Sequence, residues 1–232
     1  MNGFTNAFET DLLNHIFGNA NIANLGDATG LRGSTTAGSL YVALHSAFPA
    51  EAGDQTSNET AYTSYARQAV SRTSGWTVTN NQVVNAAQIN FPQCGASGDT
   101  LSFWSVGVAS AGASETIARG HLGTAPKLAI SNNTAGDIIT SPSHGLSVND
   151  RVVFYDISEL GTQGLPGGIT EGTVYFVKTV SGDDITISTT QGGATLDITS
   201  AGVAALAKVV PLAVSNGITP QISAGALVFK LG

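Results

Sequence analysis

The chain has 232 residues, 42% of them hydrophobic and only 11% charged, with 28 glycines and a formal net charge of −7. That length and apolar content suffice for one good-sized core or two modest ones and exclude a disordered tail, while scarce charge and abundant glycine favour short strands in tight turns over long helices. No Lys/Arg cluster occurs, which excludes the electrostatic footprint of a nucleic-acid binder, and no window approaches the ~18 apolar residues of a membrane span.

The first element expected is an amphipathic helix over 4–17, where Phe4, Phe8, Leu12 and Ile16 recur every four residues, joined by Leu13 and Phe17. Thr5 or Asn6 would cap it, Glu9 and Asp11 complement its dipole, and Gly18 would stop it. Residues 18–38 are rich in Asn, Ala, Gly and Thr and read as an extended arm. Such a length of structureless chain is either mobile or held by a partner.

Strand signals follow at 39–46, 65–72, 76–79, 82–91, 101–109 and 116–122, each rich in Val, Ile, Thr or aromatics and bounded by turn residues. The run Phe103 to Val108 is apolar on both faces and is expected to be central. Asn80-Asn81 between two of these segments is the signature of a tight hairpin turn, because Asn tolerates positive φ. With a closing pair of strands near the C-terminus, about eight strands result, the number of a two-sheet antiparallel sandwich of jelly-roll type.

The pentapeptide Leu128-Ala129-Ile130-Ser131-Asn132 returns as Leu212-Ala213-Val214-Ser215-Asn216. Joining the first copy to Gly217-Ile218-Thr219-Pro220 restores an unbroken strand-turn-strand phrase, so the echo marks the ends of an insertion into a hairpin. The division expected is an arm and helix over 1–38, a β-sandwich over 39–132 and 209–232, and a small inserted β-barrel-like domain over 133–208. Within the insert, strands are expected at 137–140, 151–156, 173–180, 184–189 and 194–198. The insert carries eight Asp/Glu against three Lys/Arg and so holds most of the negative charge. Exposed loop tips tolerate whole inserted domains.

Chemistry-bearing residues are dispersed. Cys94 has no partner for an internal disulfide and reads as a small buried side chain. His15, His45, His121 and His144 show no metal-ligand spacing, no Gly-x-Ser-x-Gly elbow occurs, and Asp183-Asp184 lacks the spaced oxygen ligands of a calcium loop. No cofactor, no metal and no catalytic group is expected.

The phrases Leu40-Tyr41-Val42-Ala43-Leu44-His45, Glu51-Ala52-Gly53, Asn58-Glu59 and Tyr65-Ala66-Arg67-Gln68, with Trp76-Thr77-Val78, Ile89-Asn90-Phe91-Pro92 and 211–227, resemble a family of tailed-bacteriophage structural proteins. The segments 143–152, 165–169 and 173–177 are similar to a small β module of phage tail and surface proteins. The resemblance implies a virion protein, made in the bacterial host cytoplasm, that acts without turnover. It implies first a capsid decoration or cement protein on the outer shell, a homotrimer clamping the major capsid protein. The alternative is a tail-fibre or receptor-binding module whose insert touches the host surface, and an enzyme acting on cell-wall polymer is a third reading. For the first role the candidate subunit-interface residues are Phe4, Phe8, Leu12, Ile16, Phe17, Leu31 and Arg32; for the second, the candidate adhesive loop is Gln163, Leu165 and Pro166.

Overall fold

A computed structural model describes residues 5–23, 25, 30, 32–131, 136–158 and 164–231. Two compact units result, Met1–Gly120 with Leu212–Gly232, and His121–Pro211. The first unit holds α1 (Asn6–Gly18), β1 (Ser39–His45), β2 (Gln68–Ser71), β3 (Trp76–Thr79), β4 (Gln82–Asn85), β5 (Ile89–Asn90), β6 (Asp99–Leu101), β7 (Phe103–Gly107) and β8 (Thr116–His121). The second holds β9 (Lys127–Ser131), β10 (Ile139–Thr140), β11 (Arg151–Asp156), β12 (Tyr175–Ser181), β13 (Asp184–Ser188) and β14 (Gly202–Val209). The chain then returns to the first unit as β15 (Leu212–Val214), β16 (Gln221–Ile222) and β17 (Val228–Lys230).

Helix α1 starts where its cap residue dictates: Thr5 is extended and its hydroxyl accepts from the Phe8 amide at 3.4 Å. It ends one residue later than expected, at Asn19 in the left-handed region with φ 57°. The stripe it buries is also rotated. Glu9, Leu13 and Phe17 are buried, while Phe8, Leu12 and Ile16 are half-buried, because the face that meets β3 lies one position further round the helix than the run of large side chains. Arg72, just past β2, donates to the Ile16 and His15 carbonyls at 2.7 Å each, so the last turn is satisfied and tied to the sheet.

The segment after the helix is not an extended arm at its two ends. The Asn19 side chain donates to the Ser34 carbonyl at 2.8 Å and accepts from its amide at 2.7 Å, and Asn21 accepts from the Gly33 amide at 2.9 Å. These bonds hold the two ends of the segment together. Gly30, at φ 79°, lies so close to the Ile22 backbone that a Cβ there would collide with it.

In the first unit a four-stranded sheet runs in the order β2-β1-β7-β8 and a three-stranded sheet in the order β17-β4-β3. Strand β7 is wholly buried and pairs with β1 from Tyr41↔Gly107 to His45↔Phe103, the inner position expected of it. Rings of Trp104 and Phe229 meet at 6.5 Å between these sheets, and Phe17 packs on Trp76 and Phe229. The β3–β4 turn is two residues long with Asn80 at φ 54°, the mirror-image turn that the Asn pair predicts. The expected strand over 82–91 is cut in two by Asn85, whose buried amide bonds the Ala87 and Ser223 carbonyls at 2.8 Å and accepts from the Leu227 amide at 2.9 Å.

The second unit is a closed barrel of six strands in the order β10-β13-β12-β11-β14-β9, every neighbour antiparallel. Inward Ala129, Val152, Phe154, Val177, Ile185, Ile187, Ala204 and Leu206 form its core with Ile139, Leu146, Ile169, Tyr175 and Ile198. The compact unit spans 121–211 and not 133–208. Lys127–Ser131, assigned by the echo to the outer unit, pairs along β14 and closes the barrel through Ile130↔Thr140. Without that strand, β14 and β10 would each present an open edge. The second copy of the echo does lie in the first unit, where Leu212–Val214 pairs with β6. Residues 194–198 form no ladder; Ile198 nevertheless reaches the barrel core, and the sixth strand is Gly202–Val209.

Candidate functional site

The residues singled out in the sequence do not converge. Phe4, Leu31 and Gln163 lie outside the described residues. Phe17 is fully buried, with ring centroids 5.0 Å from Trp76 and 4.7 Å from Phe229, so it belongs to its own unit's core and is not an intersubunit surface. Phe8, Leu12 and Ile16 keep part of their surface in solvent, and Arg32 is exposed. Pro166 is buried and Leu165 packs against the barrel core. The adjacent Gly167 amide bonds Ser200 and the Ile169 amide bonds the Pro166 carbonyl, so this turn plugs the barrel and does not project from it.

What the structure does assemble is a buried polar network in the first unit, built on the residues of the Leu40–His45, Asn58-Glu59 and Tyr65–Gln68 phrases. Strand β1 ends with the buried His45, whose register partner on β7 is Phe103 and whose ring reaches diagonally to the buried Ser105. Segment 46–67 folds back over this end: the Ser46 amide donates to Asn58 at 3.1 Å and the Thr60 amide to Leu44 at 2.9 Å. This brings Gln55, Glu59, Tyr65 and Arg67 over the sheet. Arg67 grips Glu59 through two parallel bonds, Nε to Oε1 at 2.7 Å and Nη2 to Oε2 at 2.8 Å, with the guanidinium side chain 1% exposed. Its remaining donors reach the Gln55 Oε1 at 3.1 Å and the carbonyls of Ala109 at 3.0 Å and Gly112 at 2.8 Å. Gln55 Nε2 donates to the Tyr41 carbonyl and to Ser105 Oγ, and Ser114 Oγ donates to Gln55 Oε1 at 2.8 Å. Tyr65 donates to Glu59 at 2.9 Å and accepts from the Leu44 amide at 3.1 Å.

The environment sets the protonation of each member. Burial is the largest influence on His45 and brings it down from the ordinary value to about 4, with Arg67 adding to the fall and Glu59 and the Ser57 carbonyl opposing it. The neutral ring with its proton on Nδ1 fits both contacts: Nδ1 donates to the Ser57 carbonyl at 3.0 Å, and Nε2 accepts from Ser105 Oγ at 2.7 Å. Burial likewise pushes Tyr65 up, whereas the Glu59 carboxylate holds Arg67 firmly charged. Ser105 and His45 stand at nucleophile–base distance, but both are fully buried and the second ring nitrogen meets a backbone carbonyl instead of a carboxylate. A carbonyl substrate has no approach to that serine. The network fastens 46–67 and 108–115 to the sheet.

Sequence reasoning missed this site because its bonded partners are up to 60 residues apart and no local pattern links them. The available signal was the polar residue at the end of an apolar strand, His45, together with Glu59 and Arg67 on a strand-flanking segment.

Elsewhere the polar groups serve turns. Asp183 accepts from the Ser143 amide at 2.8 Å and Asp184 from Thr140 Oγ1 at 2.6 Å, which ties the β12–β13 turn to the strand beside it. His144 and His121 bond backbone carbonyls, His121 also the Tyr155 hydroxyl at 2.9 Å. Cys94 is buried as expected. Among the described residues no three His, Cys, Asp or Glu side chains gather in a metal-binding group, and no helix is long and apolar enough to cross a membrane.

The chain is thus all-β, with antiparallel sheets, a closed six-stranded barrel and, among the described residues, one short N-terminal helix, and its first unit holds an internally bonded polar network. The family model described as Podophage GP4 fiber I protein gp80 matches residues 3–149, and the chain belongs to that family. It is a structural protein of a tailed bacteriophage and a component of the virion, in agreement with the resemblance drawn from the network's own phrases. No curated protein and no solved structure matches the chain.

Proposed function

We propose that the chain is a fibre-type component of the virion that works by adhesion between protein surfaces and not by turnover. The observation that carries this reading is the family match over 3–149, a family described by a fibre protein, whose matched region contains the whole Arg67 network. Supporting it, the polar side chains that could do chemistry are spent on internal bonding: the histidine and serine at catalytic distance are sealed, and the acidic turn of the barrel is bonded to its neighbours. Rigid, fully satisfied polar cores suit a part that must keep its shape while carrying load, because each member would be costly to expose or leave unpaired. Its partners are copies of itself and other virion proteins, and neither nucleic acid nor membrane is among them.

Labelled antibody against the chain, imaged on intact particles with a count of copies, tests the reading. Label on fibres at low copy number supports it. Label spread over the shell at hundreds of copies replaces it with the capsid-decorating role that binds the major capsid protein, and release of sugars from host polymer by the purified protein overturns the non-enzymatic part.

A further inference from the structure

The polar network has one member that the proposed function does not use. His45 sits where three pieces meet: its own strand β1, the inner strand β7, and segment 46–67 folded across both. We infer that the His45 imidazole is an acid-sensitive latch: taking up a proton at Nε2 releases segment 46–67 from the end of the four-stranded sheet.

The argument is one of donors and acceptors in a sealed space. Nε2 accepts the Ser105 hydroxyl at 2.7 Å, and Ser105 Oγ already accepts from Gln55 Nε2 at 3.2 Å. A proton taken from water by Nε2 turns that acceptor into a donor. Ser105 Oγ then faces two donors while its own hydrogen loses its acceptor, inside a site where both side chains are fully buried. The new charge also joins a network already holding the buried Arg67 guanidinium. Strand β7 brings no titratable side chain. Segment 46–67 brings Glu51, Asp54, Glu59, Tyr62, Tyr65 and Arg67, and Glu115 follows the loop over 108–114. Of these, Glu59 favours the charged ring and Arg67 opposes it; Glu59 is committed to two bonds with Arg67 and Asp54 to Thr56.

Segment 46–67 is the piece that yields. Strands β1 and β7 are joined over five registered residue pairs, whereas the segment is held by separate bonds along its length: the Ser46 and Thr60 amides, the His45–Ser57 bond and the bridge at Glu59 at the end of β1, Tyr65 on the Leu44 amide, Gln55 on Tyr41 and Ser105, and Arg67 on the 109–112 carbonyls.

The folded group titrates at about 4 and the released group at the ordinary 6.5. Above the ordinary value both forms are neutral and the latch is indifferent to pH. As pH falls from 6.5 to about 4 the released form binds a proton that the closed form refuses, so the opening equilibrium grows about tenfold per unit, on the order of 300-fold in all, and then levels off.

Amide hydrogen exchange of the whole chain between about pH 7 and about pH 4, corrected for intrinsic rates, tests this. Protection of the Ser46, Gln55 and Thr60 amides is expected to fall about tenfold per unit in the wild type and to stay flat in His45→Gln, which keeps an acceptor for Ser105 without titrating. Since burial also lowers His121, His121→Gln serves as a control and should behave as the wild type. Flat protection in the wild type, or an equal fall in His45→Gln, overturns the inference. If His45→Gln does not fold, magnetic resonance titration of the wild-type ring decides: a value near the ordinary 6.5 refutes the latch, and one well below it accompanied by the loss of Thr60 protection supports it.

Discussion

Replacing Phe17 by alanine separates two uses of the N-terminal helix, packing on its own unit and docking on a neighbour. The Phe17 ring is fully buried, with Trp76 edge-on at 5.0 Å and Phe229 tilted at 4.7 Å. Truncating such a phenylalanine costs about 3–5 kcal/mol, because the transfer energy of the ring is lost and a cavity remains between two aromatic neighbours that cannot close on it. Phe8 is only half-buried, so Phe8→Ala costs about 1 kcal/mol on the same scale. The assay is built into the sequence: both tryptophans, Trp76 and Trp104, belong to the first unit, so selectively excited fluorescence in urea follows that unit alone. With a slope of about 2 kcal/mol per molar, Phe17→Ala moves the midpoint down by about 2 M and Phe8→Ala by about 0.5 M, the slopes being unchanged. A Phe17 loss below about 1 kcal/mol, or a larger loss for Phe8, would refute the assignment of the buried stripe to Glu9, Leu13 and Phe17.

Three further outcomes follow from the same reasoning. Glu59→Leu lowers the stability of the first unit by about 3–5 kcal/mol because it strands the buried Arg67 charge, Arg67→Leu costs somewhat less because Glu59 is only half-buried, and the double variant Glu59→Leu/Arg67→Leu costs less than the two losses added; strict additivity in urea titrations would mean the pair is not coupled. Asn80→Gly is neutral within about 0.5 kcal/mol, while Asn80→Val loses about 1–2 kcal/mol because a branched side chain resists the positive φ of that turn; equal effects would discount the turn geometry. Gly202→Ala weakens the barrel, since a Cβ there meets the backbone of Gly164 and Pro166, and faster amide exchange across β11 and β14 is the expected readout; unchanged exchange would count against that close approach.

The legible parts of the fold were those governed by neighbours in sequence. The Asn80-Asn81 turn was readable because a two-residue mirror turn demands positive φ and Asn supplies it, and β7 was readable because only an inner strand is apolar on both faces. The helix was found but rotated, because the large residues Phe8, Leu12 and Ile16 outweigh the buried Glu9 in any apolar pattern while the packing partner chooses the face. Strand β9 was misassigned because its partner Gly202–Val209 lies some seventy residues on, and that partner was missed because Ala204, Ala205 and Ala207 carry little strand propensity. The Arg67 network lay beyond reach for the same reason: Ser105, Ala109 and Gly112 meet Gln55 and Arg67 only once β1 and β7 have paired.

The six-stranded barrel bears on how such a protein tolerates crowding. An open sheet offers the backbone groups of its outermost strands as a template on which a neighbour's chain can grow, and the hazard rises where many identical copies stand side by side. Joining β9 to β10 through Ile130 and Thr140 turns the sheet into a hoop with no end to extend. Wherever copies of the chain meet, this part of the molecule can therefore press together without seeding a runaway stack.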